Sequence, residues 1–123
     1  MVTQDRDRSA LARAALEQWF VAGAPVVLVF CAHPSRAARR YPQRGVHLYA
    51  IQDATIACAF AMLAATALGL ATVWVGAFDD ESVRRAIRAP PEAVPVALLP
   101  VGYAAEEPET TTRRRLSDLV HQV

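Results

Sequence analysis

The sequence predicts a single domain of mixed helix and strand, α/β or α+β by the alternation of its elements. Three observations carry that reading. Residues 25–31 form a continuous apolar, β-branched and aromatic run; residues 56–78 hold no charged side chain; and residues 79–88 pass from acids to bases as a dipole-compensated helix does. With 54% hydrophobic and 20% charged residues among 123, the chain has material for one generous core and is too apolar for a disordered class. It shows no internal repeat and no second domain.

The first helix is expected over residues 7–21, where Leu11, Ala15, Trp19 and Ala22 recur at three- and four-residue intervals and Arg6, Arg8, Arg13 and Glu17 face outward. Gly23 ends it. The run from Pro25 to Cys31 then reads as a central strand buried on both faces. Residues 32–46 are polar and basic, with Pro34, Pro42, Gly45 and four arginines, the composition of a mobile surface loop with at most a short helical turn. From Leu48 to Leu68 runs the longest element, roughly 30 Å if helical throughout. It is apolar on nearly every side, with Gln52 and Asp53 confined to its first turns.

A helix of that kind must be buried all round, and a domain this small cannot surround it alone, so its spare face is expected to meet another subunit. Ala61→Glu would then place an unpaired charge in a buried surface. Gly69 is the expected stop, residues 71–77 a second buried strand, and Asp79 the N-cap of the next helix. Pro90 and Pro91 break that helix. Residues 95–103 give a third apolar strand whose Pro100 limits pairing on one side, followed by a tail, 104–123, which ends in a short helix or an arm over a neighbour.

Several function classes lose support. The net charge of +1 is too small for the field that binds polyanions. Ser9, Ser35, Ser82 and Ser117 lack the glycine spacing of a nucleophile elbow. His33, His47 and His121 lack zinc-site spacing, and no metal site is expected. No dinucleotide or P-loop glycine motif occurs. Cys31 and Cys58, far apart in apolar runs, point to a reducing, cytoplasmic setting, and the charged, helix-like first twenty residues do not read as a secretory leader. The charge-free run meets the length criterion for a membrane span, but its alanine and threonine content and Gly69 favour a buried helix followed by a strand. Two features stand out as candidate site elements. Trp74, Val75 and Gly76 end a buried strand, where crevices open and a glycine lets a flat ring approach; Arg113, Arg114 and Arg115 make either a phosphate clamp or a solvated tail.

The stretches Leu48-Tyr49-Ala50-Ile51-Gln52-Asp53-Ala54, Gly69-Leu70-Ala71-Thr72-Val73-Trp74-Val75-Gly76-Ala77-Phe78-Asp79 and Val96-Ala97-Leu98-Leu99-Pro100-Val101-Gly102-Tyr103, in this order, resemble the nitroreductase family of FMN-dependent oxidoreductases. The resemblance implies a nitroreductase-like α+β sandwich with a central sheet and a long buried helix at the core of an obligate homodimer. It further implies two FMN sites between subunits, with backbone around Trp74, Val75, Gly76 and Ala77 against the flavin ring and Arg113 or Arg114 on its phosphate. Its implied chemistry is ping-pong hydride transfer from NADH or NADPH to nitroaromatic, quinone or similar acceptors. The family's N-terminal Arg-Arg-Ser-x-Arg segment and its asparagine-bearing segment have no counterpart, which is expected of a naturally N-terminally shortened member, of a subunit whose missing part comes from another chain, or of a truncated product. The alternatives are a non-catalytic flavin- or ligand-binding homodimer, or a subunit completed by a partner chain.

Overall fold

The first helix, α1 (Asp5–Ala14), carries Asp5 and Asp7 in its first turn and Arg13 in its last, the charge order its dipole favours, and buries Leu11, Ala12 and Ala14. A computed structural model describes residues 1–121 of the chain. Helix α1 ends well before the expected Val21. Leu16 and Glu17 adopt left-handed φ values of 56° and 60°, and no glycine announces this break. Trp19, expected inward on a continuous helix, is half exposed as a result, and a short α2 (Phe20–Gly23) follows.

Arg8 also departs from expectation. Its side chain is only 14% exposed, because the guanidinium ties the start of α1 to the next segment. Its Nε donates to Ala22 O at 3.2 Å, and its terminal nitrogens donate to Pro25 O at 3.3 Å, to Thr3 O and to Asp5 Oδ1 at 2.9 Å.

Strand β1 (Val26–Ala32) leads into α3 (Pro34–Ala38), a π-helical turn over Gly45–Tyr49 and the long α4 (Ala50–Ala67). The expected loop at 32–46 is thus helical at 34–38 and again from residue 44, with turns between. Helix α4 closes in a Schellman motif: Gly69 at φ 73° donates to Thr66 O at 3.0 Å and Leu70 to Ala65 O at 2.9 Å. Then come β2 (Ala71–Thr72), α5 (Asp80–Ile87) and β3 (Val94–Gly102), and a 3₁₀ turn at Leu116–Asp118 lies within the otherwise irregular residues 103–121.

The sheet is antiparallel in the order β1-β3-β2. The expected central strand β1 therefore lies outside β3, and its outer edge carries one bridge, Val2 to Val27. Strand β3, paired on both sides, is the more continuously buried of the two. Leu11, Val21, Val27, Val75, Val83 and Leu98 pack on the α1/α5 side. Cys58 and Ala65 of α4 pack with Ala97, Leu99 and Val101 on the other. The result is a three-layer sandwich.

Only the inner face of α4 is covered. Ala50, Ala54, Cys58 and Ala65 are buried, whereas Ile56, Phe60 and Leu63 are 53%, 66% and 66% exposed. Ala61, which was expected on the partner-facing side, packs against the helix's own sheet cluster instead. The helix with its preceding turn, Gly45–Ala67, is long and apolar enough to cross a membrane by length and composition, yet its inner face packs as a core helix does. Thr55 and Thr66 donate to Ile51 O at 2.8 Å and Met62 O at 3.0 Å, so their hydroxyls are satisfied inside the helix.

Candidate functional site

The segment from Ala71 to Asp79 is pinned at both ends and released in the middle. Ala71 and Thr72 pair with Gly102 and Val101, and Val75 pairs with Leu98 in the same register, exchanging hydrogen bonds of 3.0 and 2.9 Å. That register sets Val73 opposite Pro100. In an antiparallel ladder Pro100 faces the same side as Leu98, and it has no N–H to give, so the ladder lapses at Val73 and Trp74. The expected strand over 71–77 is interrupted for this reason. Beyond it, Asp79 N–H donates to Ala14 O at 2.9 Å, which fixes the far end against α1.

Between these anchors Val75 is buried while Val73, Trp74, Gly76 and Ala77 are exposed. The Trp74 indole lies across Gly76, where an added Cβ would stand 3.0 Å from Trp74 Nε1. No acceptor among the described residues takes the N–H of Gly76 or Ala77. The outcome is a flat aromatic and backbone surface with free donors, suited to one face of a planar heteroaromatic ring.

Asp79 then starts α5. Its Oδ1 accepts the Ser82 N–H at 2.8 Å, and hydrogen bonding from the Ser82 side chain, then from its backbone, holds the carboxyl below the usual aspartate range, with smaller contributions from Arg85 and Arg84. Asp79→Ala is expected to lower the thermal midpoint at neutral pH. Because the folded pKa is depressed, this stabilisation is present above the unfolded value and lost as pH falls through the folded one. Melting curves of wild type and variant at successively lower pH should therefore converge in strong acid.

Arg113 and Arg114 are not gathered at this surface. Both are exposed in the tail, and Arg113 bonds to Thr111 and to Thr112 O while Arg115 pairs with Asp118. Within one chain the aromatic and backbone surface at Trp74–Ala77 and the tail arginines are therefore not brought together. An open cleft of about 530 Å³ lies between α1 and α5, with Arg6, Asp7, Arg13, Asp79 and Arg88 on its walls, and contains none of the expected site residues. Burial pushes the Cys31 and Cys58 thiols up, so neither is a ready nucleophile.

The sequence reading missed one cluster. Tyr41 and Tyr49 meet edge to face at 5.3 Å, and Arg44 Nε donates to Tyr49 Oη at 3.0 Å. The only local signal for it is Gly45, a position where a Cβ would come 2.6 Å from Ala37 O.

The three-layer sandwich with its long one-sided helix is the nitroreductase fold. Nitroreductase A of Vibrio parahaemolyticus superposes with a TM-score of 0.84 at 27% identity over 98% of this chain and 55% of that one. NADPH:FMN oxidoreductase from Vibrio harveyi, solved with NAD⁺, gives 0.84 at 26% over 98% and 54%. The sequence profile of the Nitroreductase family matches residues 2–103, and the chain belongs to that family. A Methanocaldococcus jannaschii relative named as a nitroreductase is 41% identical over 96 residues, 78% of this chain and 47% of its own length. One from Methanothermobacter thermautotrophicus, named for NADH dehydrogenase or NAD(P)H nitroreductase activity, is 35% identical over 94 residues, 73% and 46%. The chain spans about half the length of these relatives.

Proposed function

We propose that the chain works as a homodimeric, FMN-dependent NAD(P)H oxidoreductase of nitroreductase type, reducing nitroaromatic, quinone or similar acceptors in the cytoplasm. The observation that carries this reading is the pinned, splayed segment at Trp74–Ala77, where the free N–H groups of Gly76 and Ala77 beside the Trp74 indole suit a flavin ring. The names of the Vibrio harveyi and Methanothermobacter thermautotrophicus relatives, with their FMN and NAD(P)H, support it.

In this reading the backbone of Trp74, Val75, Gly76 and Ala77 holds the ring, and Arg113 or Arg114 takes the phosphate as a bidentate donor. When bound, the flavin supplies hydride transfer between NADH or NADPH and the acceptor; the protein supplies orientation and electrostatics. The uncovered face of α4 gives the second copy its contact. Since the tail arginines lie apart from the ring surface in one chain, the phosphate half is completed on dimerisation.

Flavin titration tests this. The purified chain should bind FMN with quenched fluorescence, then oxidise NADH or NADPH when a quinone is added. Gly76→Val, which forces the Trp74 indole aside, should weaken FMN uptake at least tenfold. FMN binding without NAD(P)H consumption would instead establish the non-catalytic, ligand-binding reading, and no FMN uptake would reject the flavin site.

A further inference from the structure

The charge of this molecule is strongly segregated. Residues 32–49 contain Arg36, Arg39, Arg40 and Arg44 together with His33 and His47, and no acid occurs between Glu17 and Asp53. With +1 on the whole chain, the four guanidiniums here leave −3 on the remainder. All four are exposed, and none joins an ion pair among the described residues. Four unpaired like charges on one short segment repel one another, a cost that an anion would relieve.

The same segment orders two aromatic rings among these charges. Arg40 lies 5.9 Å from the centre of the Tyr41 ring and Arg44 5.4 Å from that of Tyr49, with the two rings in edge contact. The π-helical turn at Gly45–Tyr49 and the close approach of Gly45 to Ala37 hold this geometry. Ala37 packs with Ala32, Ala50 and Ala54 and with Val94 and Val96. Because β2 runs antiparallel to β3, the chain leaving Val75 moves from the level of Leu98 towards that of Val96. The basic arm and the exit at Gly76–Ala77 thus border the same end of the sheet.

We infer that the arm of residues 34–49 is a phosphate-reading element that takes the phosphate-bearing end of a nucleotide. The arginines offer planar forks to phosphate oxygens, and the tyrosine rings offer surface to a purine. Two rings and four guanidiniums match one nucleotide, whereas a polymer needs a broader basic surface than a chain of charge +1 provides. Identifying the nucleotide as the adenosine end of the reductant rests on the oxidoreductase reading above; a phosphorylated acceptor presents the same anionic chemistry.

Calorimetric titration of the purified chain at low salt, with no flavin added, tests this independently of FMN uptake. Adenosine 2′,5′-bisphosphate, ADP and inorganic pyrophosphate are the probes. Saturable binding of either adenosine probe is expected; preference for the bisphosphate assigns the arm to a 2′-phosphate, and equal binding of ADP assigns it to the pyrophosphate. Pyrophosphate bound as tightly as ADP supports the phosphorylated acceptor as the source.

Arg40→Gln with Arg44→Gln should weaken binding at least tenfold, while Arg6→Gln with Arg13→Gln, the same charge loss on α1, should change it less than twofold. If the arm variant does not fold, Arg36→Gln with Arg40→Gln serves, as it spares the Arg44–Tyr49 hydrogen bond. No binding of any probe, equal weakening by both pairs, or tighter binding of a short RNA than of the adenosine probes overturns the inference.

Discussion

Phe60→Glu combined with Leu63→Glu is expected to leave the purified chain monomeric at concentrations where the proposed wild-type dimer forms. The two positions are three apart on α4, beside Ile56, and all are more than half exposed in one chain. In the proposed homodimer a two-fold axis applies each substitution twice. Removing about 1.5 kcal/mol of apolar burial at each of four sites costs about 6 kcal/mol, or roughly four orders of magnitude in dissociation constant, before the desolvation of the new carboxylates is counted. Sedimentation of wild type and variant across a concentration series measures it. Unchanged association would show that this face is not the subunit contact.

Leu98→Ala is expected to produce the largest loss of stability in the sheet. Leu98 is fully buried in the central strand, belongs to the cluster of Leu11, Val21, Val27 and Val83, and is the residue whose backbone holds Val75 in place. A cavity there costs about 2–5 kcal/mol, or about 10–20 °C in thermal midpoint for a domain of this size. The same change should loosen the Trp74–Ala77 segment, so FMN uptake should fall at temperatures where the variant is still folded. Thermal melts with and without FMN check both parts; a midpoint within a few degrees of wild type would contradict the packing described.

Features with a local chemical signature were legible in the sequence. Gly69 stops α4 because a left-handed residue was needed there, Asp79 caps α5, and Pro100 interrupts pairing on the side facing β2. The break at Leu16 and Glu17 was not legible, since neither residue is one that a turn demands. Sheet order was hidden because pairs such as Val26 with Val101 are separated by most of the chain, and local patterning does not encode which strand becomes central.

The inner and outer faces of α4 were unreadable for a different reason. The helix is apolar on every side, so periodicity could not separate Ala61, which faces the sheet, from Phe60, which does not. For the candidate site, spacing and resemblance singled out Trp74, Val75, Gly76 and Ala77, and the fold gives these residues a physical role as a released strand segment. Arg113 and Arg114 were singled out by their charge and by the resemblance. They lie in an exposed tail, so any role at the Trp74–Ala77 surface rests on the proposed dimer.

The mass of the intact wild-type assembly, measured under native conditions after incubation with FMN, tests the central claim most directly. The account predicts a dimer of the 13.4 kDa chain carrying two FMN molecules. A monomer, or a dimer that holds no flavin, would contradict it.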